Sequence, residues 1–268
     1  MLPVAKKPIV QYVVEELCGS GIDRLLFVTG RGKDSIENHF DHDPALAETL
    51  QNTNKNEQLE ELAFESLDVT YLYTRQAVQR GLGDAILHGE PFVGNEPFLV
   101  ALGDSIIGRN GSSRVCRTLC DVFEDQQAAA VIAVEAVEPS QVKHYGVVNP
   151  GSDGDIFTIK DLVEKPSAAE APSNLAIVGR YAFSPQIFGR IRGVGPDARS
   201  GEIGLTEAIR TLCQSGEKVI GVKLPPGVRR YDIGNFASYF ETFVEFALDD
   251  PRHGPRLKEK LKNLLDKA

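Results

Sequence analysis

Phe98-Leu99-Val100-Ala101-Leu102 is an unbroken apolar run that ends at Gly103-Asp104. A short apolar run closed by glycine and a carboxylate predicts a strand buried on both faces, of the kind found in parallel sheets covered by helices. Open α/β sheets bind their ligands at the carboxyl ends of such strands. Asp104 is therefore expected at the edge of a crevice, where an unpartnered carboxylate is costly. It either caps the following turn or holds a metal ion.

The rest of the chain repeats this alternation of apolar runs and helical stripes. Ile9, Tyr12, Val13 and Leu17 give a helix, and Leu25 to Gly30 a buried strand. Helices are predicted over Lys33 to Phe40 and Pro44 to Leu67, then a strand over Val69 to Tyr73. Gly81-Leu82-Gly83 opens a helix running to about Gly89; glycines there allow close backbone approach and leave N–H groups free for a ligand. Further on, helix is predicted over Ser112 to Gln127 and strands over Ala128 to Val137, from Tyr145, over Ile156 to Val163 and over Leu175 to Phe183. A helix from Ser184 or Pro185, another over Leu205 to Cys213, a strand over Val219 to Leu224 and a helix over Phe236 to Leu248 complete the pattern. Leu257, Leu261, Leu264 and Leu265 form an amphipathic tail expected to pack on the core or on a neighbouring subunit. With no repeat or linker, residues 1–268 are expected to form a single domain, with 236–268 as its C-terminal helical tail.

A net charge of −9 argues against a nucleic-acid binder. No apolar run reaches the roughly 18 residues of a membrane span, and no signal segment precedes the first helix, so a cytoplasmic protein without membrane contact is expected. Cys18, Cys116, Cys120 and Cys213 form no CxxC pair, which predicts reduced thiols.

Polar residues gather at strand ends in a chain that otherwise keeps charge out of its strands: Arg75-Gln76, Asp104, Glu164-Lys165 and Asp232. Two aspartates distant in sequence could share a divalent cation whose remaining positions are filled by phosphate oxygens and water, as Mg²⁺ is usually held. Lys165 could grip a phosphate, and Glu164 could accept hydrogen bonds from sugar hydroxyls; the alternative is a surface ion pair between them.

Several segments together resemble the bacterial UTP–glucose-1-phosphate uridylyltransferases, also called UDP-glucose pyrophosphorylases. They are Met1-Leu2-Pro3-Val4, Ser35-Ile36-Glu37-Asn38-His39-Phe40, Arg75-Gln76 with Gly81-Leu82-Gly83, Tyr145-Gly146-Val147-Val148, Glu164-Lys165-Pro166, Pro172 to Tyr181, Glu202-Ile203 with Leu205-Thr206, and Asp232 with Gly234-Asn235. The resemblance implies a Rossmann-like, GT-A-like nucleotidyltransferase fold with a mixed, mostly parallel central sheet flanked by helices. It also implies synthesis of UDP-glucose and pyrophosphate from UTP and glucose 1-phosphate with Mg²⁺, in a homodimer or homotetramer. Carried over by position, Asp104 and Asp232 would hold Mg²⁺, and Gln76 and Gly81 would read the uracil. Gly146, Glu164 and Val178-Gly179 would contact glucose. Lys165 would hold the sugar phosphate and, with Asp104, serve the reaction. Gly103 and Asp84 depart from the family pattern, which often has Pro and His there.

The family also begins with a strand and a glycine-rich loop, G-x-G-T/S-R, that cradles the UTP phosphates. No such motif occurs in these residues, so the first strand of the fold and the phosphate loop are expected to be missing, and the chain alone to be impaired. Met1 coincides with an internal Met of the family motif, as a start assigned too late would give. The alternative is a non-catalytic UDP-glucose-binding or regulatory paralogue. The missing loop shares in base recognition, which leaves dTTP as another possible substrate.

Overall fold

The computed structural model describes residues 1–109, 113–198 and 200–267. An antiparallel pair, β1 (Pro3–Val4) and β2 (Lys7–Pro8), leads into α1 (Ile9–Gly19), which buries Ile9, Tyr12, Val13, Val14 and Leu17. β3 (Arg24–Thr29) then runs parallel to β4 (Thr70–Arg75). The crossover between them carries α2 (Asp34–Phe40), α3 (Pro44–Asn52) and α4 (Asn56–Glu61). The single helix expected over Pro44 to Leu67 is broken at Asn54, whose φ of 54° is left-handed. Thr53 helps close α3 by donating its hydroxyl to Thr49 O at 2.7 Å.

Next come α5 (Leu82–Leu87), α6 (Glu90–Val93), β5 (Phe98–Ala101), β6 (Ser105–Ile107), α7 (Val115–Gln126) and β7 (Ala130–Ala136). Ser112, the expected start of α7, lies outside the described residues. β8 (Gly146–Pro150), β9 (Ile156–Glu164), β10 (Leu175–Phe183), α8 (Gln186–Gly193), α9 (Leu205–Gln214), β11 (Val219–Lys223) and β12 (Arg230–Asp232) follow. The chain closes with α10 (Phe236–Asp249) and α11 (Gly254–Leu265).

Six strands form the main sheet in the order β5-β10-β7-β11-β9-β8. It is mixed, but not mostly parallel as expected: β7–β11 is its parallel pair, and the β5–β10, β7–β10, β9–β11 and β8–β9 ladders are antiparallel. An apolar run reports that a strand is buried but carries no information on the direction of its neighbour, and here the β8–β9 hairpin reverses the chain locally.

Side chains alternate between two cores, as a pleated strand requires. On one face Ile132 and Val134 of β7 and Ile177, Tyr181 and Phe183 of β10 meet Ile187, Phe188 and Ile191 of α8 and Ile209 and Leu212 of α9. On the other, Val131, Ala133, Val178 and Ala182 meet Val115, Leu119 and Val122 of α7. Each such buried aliphatic or aromatic side chain contributes about 1.5–3 kcal/mol, which makes β7 and β10 the least movable part of the molecule.

β5, the run that ends at Asp104, departs from expectation. It is only partly buried at every position, and among the described residues it is laddered to β10 alone. Its Leu99 and Ala101 pack in one apolar cluster with Leu25 and Phe27 of β3, yet among the described residues no ladder joins β5 to β3.

Phe246 of α10 lies edge-on to Tyr12 at 5.4 Å and to Tyr231 at 4.9 Å, fixing the helix against α1 and β12. In α11, Leu257 and Leu261 are half-buried, while Leu264 and Leu265 are 55% and 74% exposed, so the tail's stripe is covered only in part. The four cysteines are free thiols, and among the described residues no helix is long and apolar enough to cross a membrane.

Candidate active site

A short ladder between β6 and β12 brings together the two aspartates singled out by sequence. Ser105 pairs with Asp232, so Asp104, in the turn between β5 and β6, sits beside Asp232 at the end of β12. Asp232 is held from two sides: Oδ1 accepts the Gly234 N–H at 2.9 Å and Oδ2 the Tyr145 hydroxyl at 3.4 Å. The Arg230 guanidinium lies 3.9 Å from the Tyr145 ring centre and pairs with Glu135 at 3.0 Å. Asp104 opens to solvent on one side, but surrounding protein desolvates its carboxyl and Asp232 repels its charge. Both effects raise its pKa, against weaker opposition from Arg180 and Arg230. A cation between the two carboxylates would relieve that repulsion. No group of three or more His, Cys, Asp or Glu residues able to hold a metal occurs among the described residues. An ion here would therefore draw its other ligands from water or a bound anion, which suits a hard divalent cation.

A second group adjoins the first. Gly146 of β8 pairs with Glu164 of β9, and the Thr206 hydroxyl at the start of α9 donates to Glu164 Oε2 at 2.6 Å. A Cβ on Gly146 would lie 3.2 Å from both Glu164 Oε2 and Thr206 Oγ1, so glycine leaves room for the carboxylate and hydroxyl to lie over the strand. Lys165 has a left-handed φ of 46°, donates its backbone N–H to Tyr145 O at 3.0 Å, and keeps an exposed ammonium 3.8 Å from Glu164 Oε1. Through Tyr145 the end of β9 is thus tied to Asp232. At Gly179, φ is 76°, the β7–β10 register shifts, and the carbonyl accepts the Leu102 N–H at 3.0 Å beside the Asp104 turn. Val178 is different: the whole residue is buried, its side chain in the α7 core, so it offers no exposed surface to a ligand.

The remaining pair lies at the far end of the β3–β4 unit. Gln76 follows β4, hydrogen-bonds Thr29 O through its N–H at 2.9 Å, and directs Nε2 to Asp84 Oδ2 at 2.7 Å and Gly81 O at 3.2 Å. Asp84, a departure from the family pattern, is buried and also pairs with Arg80 at 3.4 Å. Gly81 precedes α5 with φ 93°, packed against Glu202 and Ile203. Gln76 and Gly81 line a cleft with Thr29, Gly30, Gln79 and Glu202.

Tyr145, Arg230 and Thr206 were not singled out as site residues from sequence. Tyr145 stands directly before Gly146 and Thr206 directly after the start of a helix; each position hints at a role only once its partner in space is known.

The Nucleotidyl transferase family profile matches residues 1–247. The UTP–glucose-1-phosphate uridylyltransferase YngB of Bacillus subtilis is 40% identical over 266 residues, covering 99% of this chain and 87% of that protein. A UTP–glucose-1-phosphate uridylyltransferase of Staphylococcus epidermidis is 38% identical over 265 residues, covering 98% and 90%. Among solved structures, a UDP-glucose pyrophosphorylase complexed with UDP-glucose superposes with a TM-score of 0.81 at 34% identity, covering 92% of this chain and 89% of that one. A UTP-bound UGPase from Acinetobacter baumannii gives 0.86 at 30% identity, covering 98% and 90%. This α/β chain with its mixed sheet belongs to the nucleotidyl transferase family, among the UTP–glucose-1-phosphate uridylyltransferases.

Proposed function

We propose that this chain carries the sugar- and metal-binding machinery for making UDP-glucose and pyrophosphate from UTP and glucose 1-phosphate. The observation that carries the proposal is the Ser105–Asp232 pairing, which sets two carboxylates side by side, tied through Tyr145 to the Glu164-Lys165 end of β9. In the reaction an oxygen of the sugar phosphate bonds to the α-phosphorus of UTP while the bond to the β-phosphate breaks and pyrophosphate leaves. The attacking group is already an anion, so the protein's task is positioning and charge neutralisation.

Asp104 and Asp232 would hold Mg²⁺, which when bound supplies positive charge against the phosphates. The exposed Lys165 ammonium would take the phosphate of glucose 1-phosphate and, with Asp104, serve the transfer. Glu164, fixed by Thr206, would accept glucose hydroxyls over Gly146, with the Gly179 backbone beside them. Gln76 and Gly81 would meet the uracil edge.

The finer picture of the fold, with a first strand and its phosphate loop outside these residues, is supported by the division of the sheet. β3 and β5 contribute to one apolar cluster, yet among the described residues each has a ladder on one side only. One strand between them would join β4-β3 to β5-β10, with its carboxyl end near the Gln76 cleft. Self-association as a dimer or tetramer is supported by Phe236, Phe240 and Val244, an exposed apolar stripe along α10.

The test is pyrophosphate release from UTP and glucose 1-phosphate, with dTTP as competitor. It is measured on residues 1–268 and on the same chain extended by an apolar strand and a G-x-G-T/S-R loop. Low turnover by the first, high turnover by the second and preference for UTP are expected. Absence of product from both would refute the proposal.

A further inference from the structure

The otherwise apolar strand β10 contains one charged residue, Arg180, and its side chain is completely buried. Its partner Glu16, on α1, is 1% exposed, with Nη2 to Oε2 at 2.8 Å and Nε to Oε2 at 3.1 Å. The other Glu16 oxygen accepts from Ser113 Oγ at 2.7 Å. Removing two ions from water costs several kcal/mol each, and a well-packed apolar pair of the same volume is often as stable or more so. Stability alone therefore gives little reason for this pair.

The remaining hydrogen bonds of Arg180 give another reason. Nη1 donates to Leu102 O at 3.2 Å and Gly179 O at 3.1 Å, and Nη2 donates to Ser105 O at 3.0 Å. The carbonyls of Leu102 and Ser105 flank Gly103-Asp104, and Gly103 has nothing within 4 Å of where its Cβ would be. A turn through an unpacked glycine would leave the Asp104 carboxylate free to wander. Arg180 fixes both its ends from the core side, while the Ser105–Asp232 pairing fixes it from the other.

We propose that Arg180, held by Glu16, is a positioning residue that sets the Asp104 carboxylate at the distance from Asp232 needed to share one divalent cation. This inference rests on the reading of Asp104 and Asp232 as metal ligands. Glu16 orients the guanidinium and balances its charge; Arg180 touches neither metal nor substrate.

The test titrates the chain with Mn²⁺, followed by its electron paramagnetic resonance signal with UDP-glucose present, and separately measures UDP-glucose affinity without metal. In the double variant Glu16→Gln/Arg180→Met, Mn²⁺ affinity is expected to fall about 10- to 100-fold, as when groups supporting metal ligands are removed, while metal-free UDP-glucose affinity stays unchanged. Should that variant fail to fold, Arg180→Lys keeps the charge opposite Glu16 but loses the fork that spans both carbonyls, and the same selective loss is expected. Unchanged Mn²⁺ affinity in a folded variant, or equal loss of both affinities, would overturn the proposal. Asp104→Asn separates the two levels: if it leaves Mn²⁺ affinity intact, the assignment of the ligands themselves is wrong.

Discussion

Replacing Gly81 with Ala tests whether the loop at the nucleotide end is shaped by backbone contact. Gly81 has φ 93°, and a Cβ there would stand 2.9 Å from Glu202 Cβ, 2.9 Å from Ile203 O and 3.0 Å from Ile203 N. Backbone hydrogen bonds from Gly83 N to Ile203 O at 2.9 Å and from Ile203 N to Arg80 O at 2.7 Å prevent that segment from simply moving aside. Alanine at φ 93° and ψ 174°, a combination essentially reserved to glycine, costs about 1–3 kcal/mol, of which ~0.4–1 is recovered because alanine restricts the unfolded chain. Overpacking adds about 1–3 kcal/mol, for a net loss of ~2–5. For a chain of this size that is a fall in Tm of roughly 4–20 °C. Gly227→Ala is the control: φ is 81° but nothing lies within 4 Å, so only the backbone cost applies. Thermal unfolding followed by circular dichroism reads both variants. Equal falls in Tm would refute the close-contact argument, and Gly81 would then be an ordinary turn glycine.

Three further substitutions have defined expected outcomes. Asp232→Asn removes the like charge beside Asp104, so the Asp104 carboxyl should titrate at lower pH by ¹³C NMR; an unmoved titration would show that the carboxylates do not interact. Because folding raises the Asp104 pKa, its contribution to metal-free stability is present below the unfolded pKa and lost as pH rises through the folded one. That loss should shrink in Asp232→Asn, as measured by urea midpoints across this range. Gly179→Ala puts a Cβ 3.0 Å from Leu102 Cγ and Cδ1 at φ 76°, and should both lower Tm and weaken Mg²⁺-dependent ligand binding by displacing the Asp104 turn. Thr206→Val, which deletes the 2.6 Å bond to Glu164, should weaken UDP-glucose binding about 3- to 10-fold, the equivalent of one hydrogen bond, with Tm almost unchanged.

Local chemistry marked candidates for this site without assigning them: Asp104 ended an apolar run and could cap a turn or hold a metal, and Glu164-Lys165 could be a surface ion pair, so the proposed roles came from the resemblance. What local chemistry could not convey was pairing. The apolar run of β5 looked like a doubly buried parallel strand, but its neighbour β10 runs antiparallel and, among the described residues, its second edge carries no ladder. The break at Asn54 depended on a single left-handed residue within a polar helical pattern. Arg180 drew no notice within its apolar strand, because Glu16 lies on α1 and the carbonyls the arginine serves lie in a third segment. Val178 shows the converse: its neighbour Gly179 adjoins the Asp104 turn, while the pleat turns the Val178 side chain into the core.

Asp104 and Asp232 are proposed as the metal half of a UDP-glucose site. Calorimetric titration of the chain with UDP-glucose, with and without Mg²⁺, beside Asp104→Asn and Asp232→Asn, is the decisive measurement. UDP-glucose should bind, Mg²⁺ should tighten binding by tenfold or more, about 1.4 kcal/mol, and either substitution should abolish the Mg²⁺ effect while metal-free binding persists. Binding that ignores Mg²⁺ in the wild type, or a Mg²⁺ effect that survives both substitutions, would contradict that assignment.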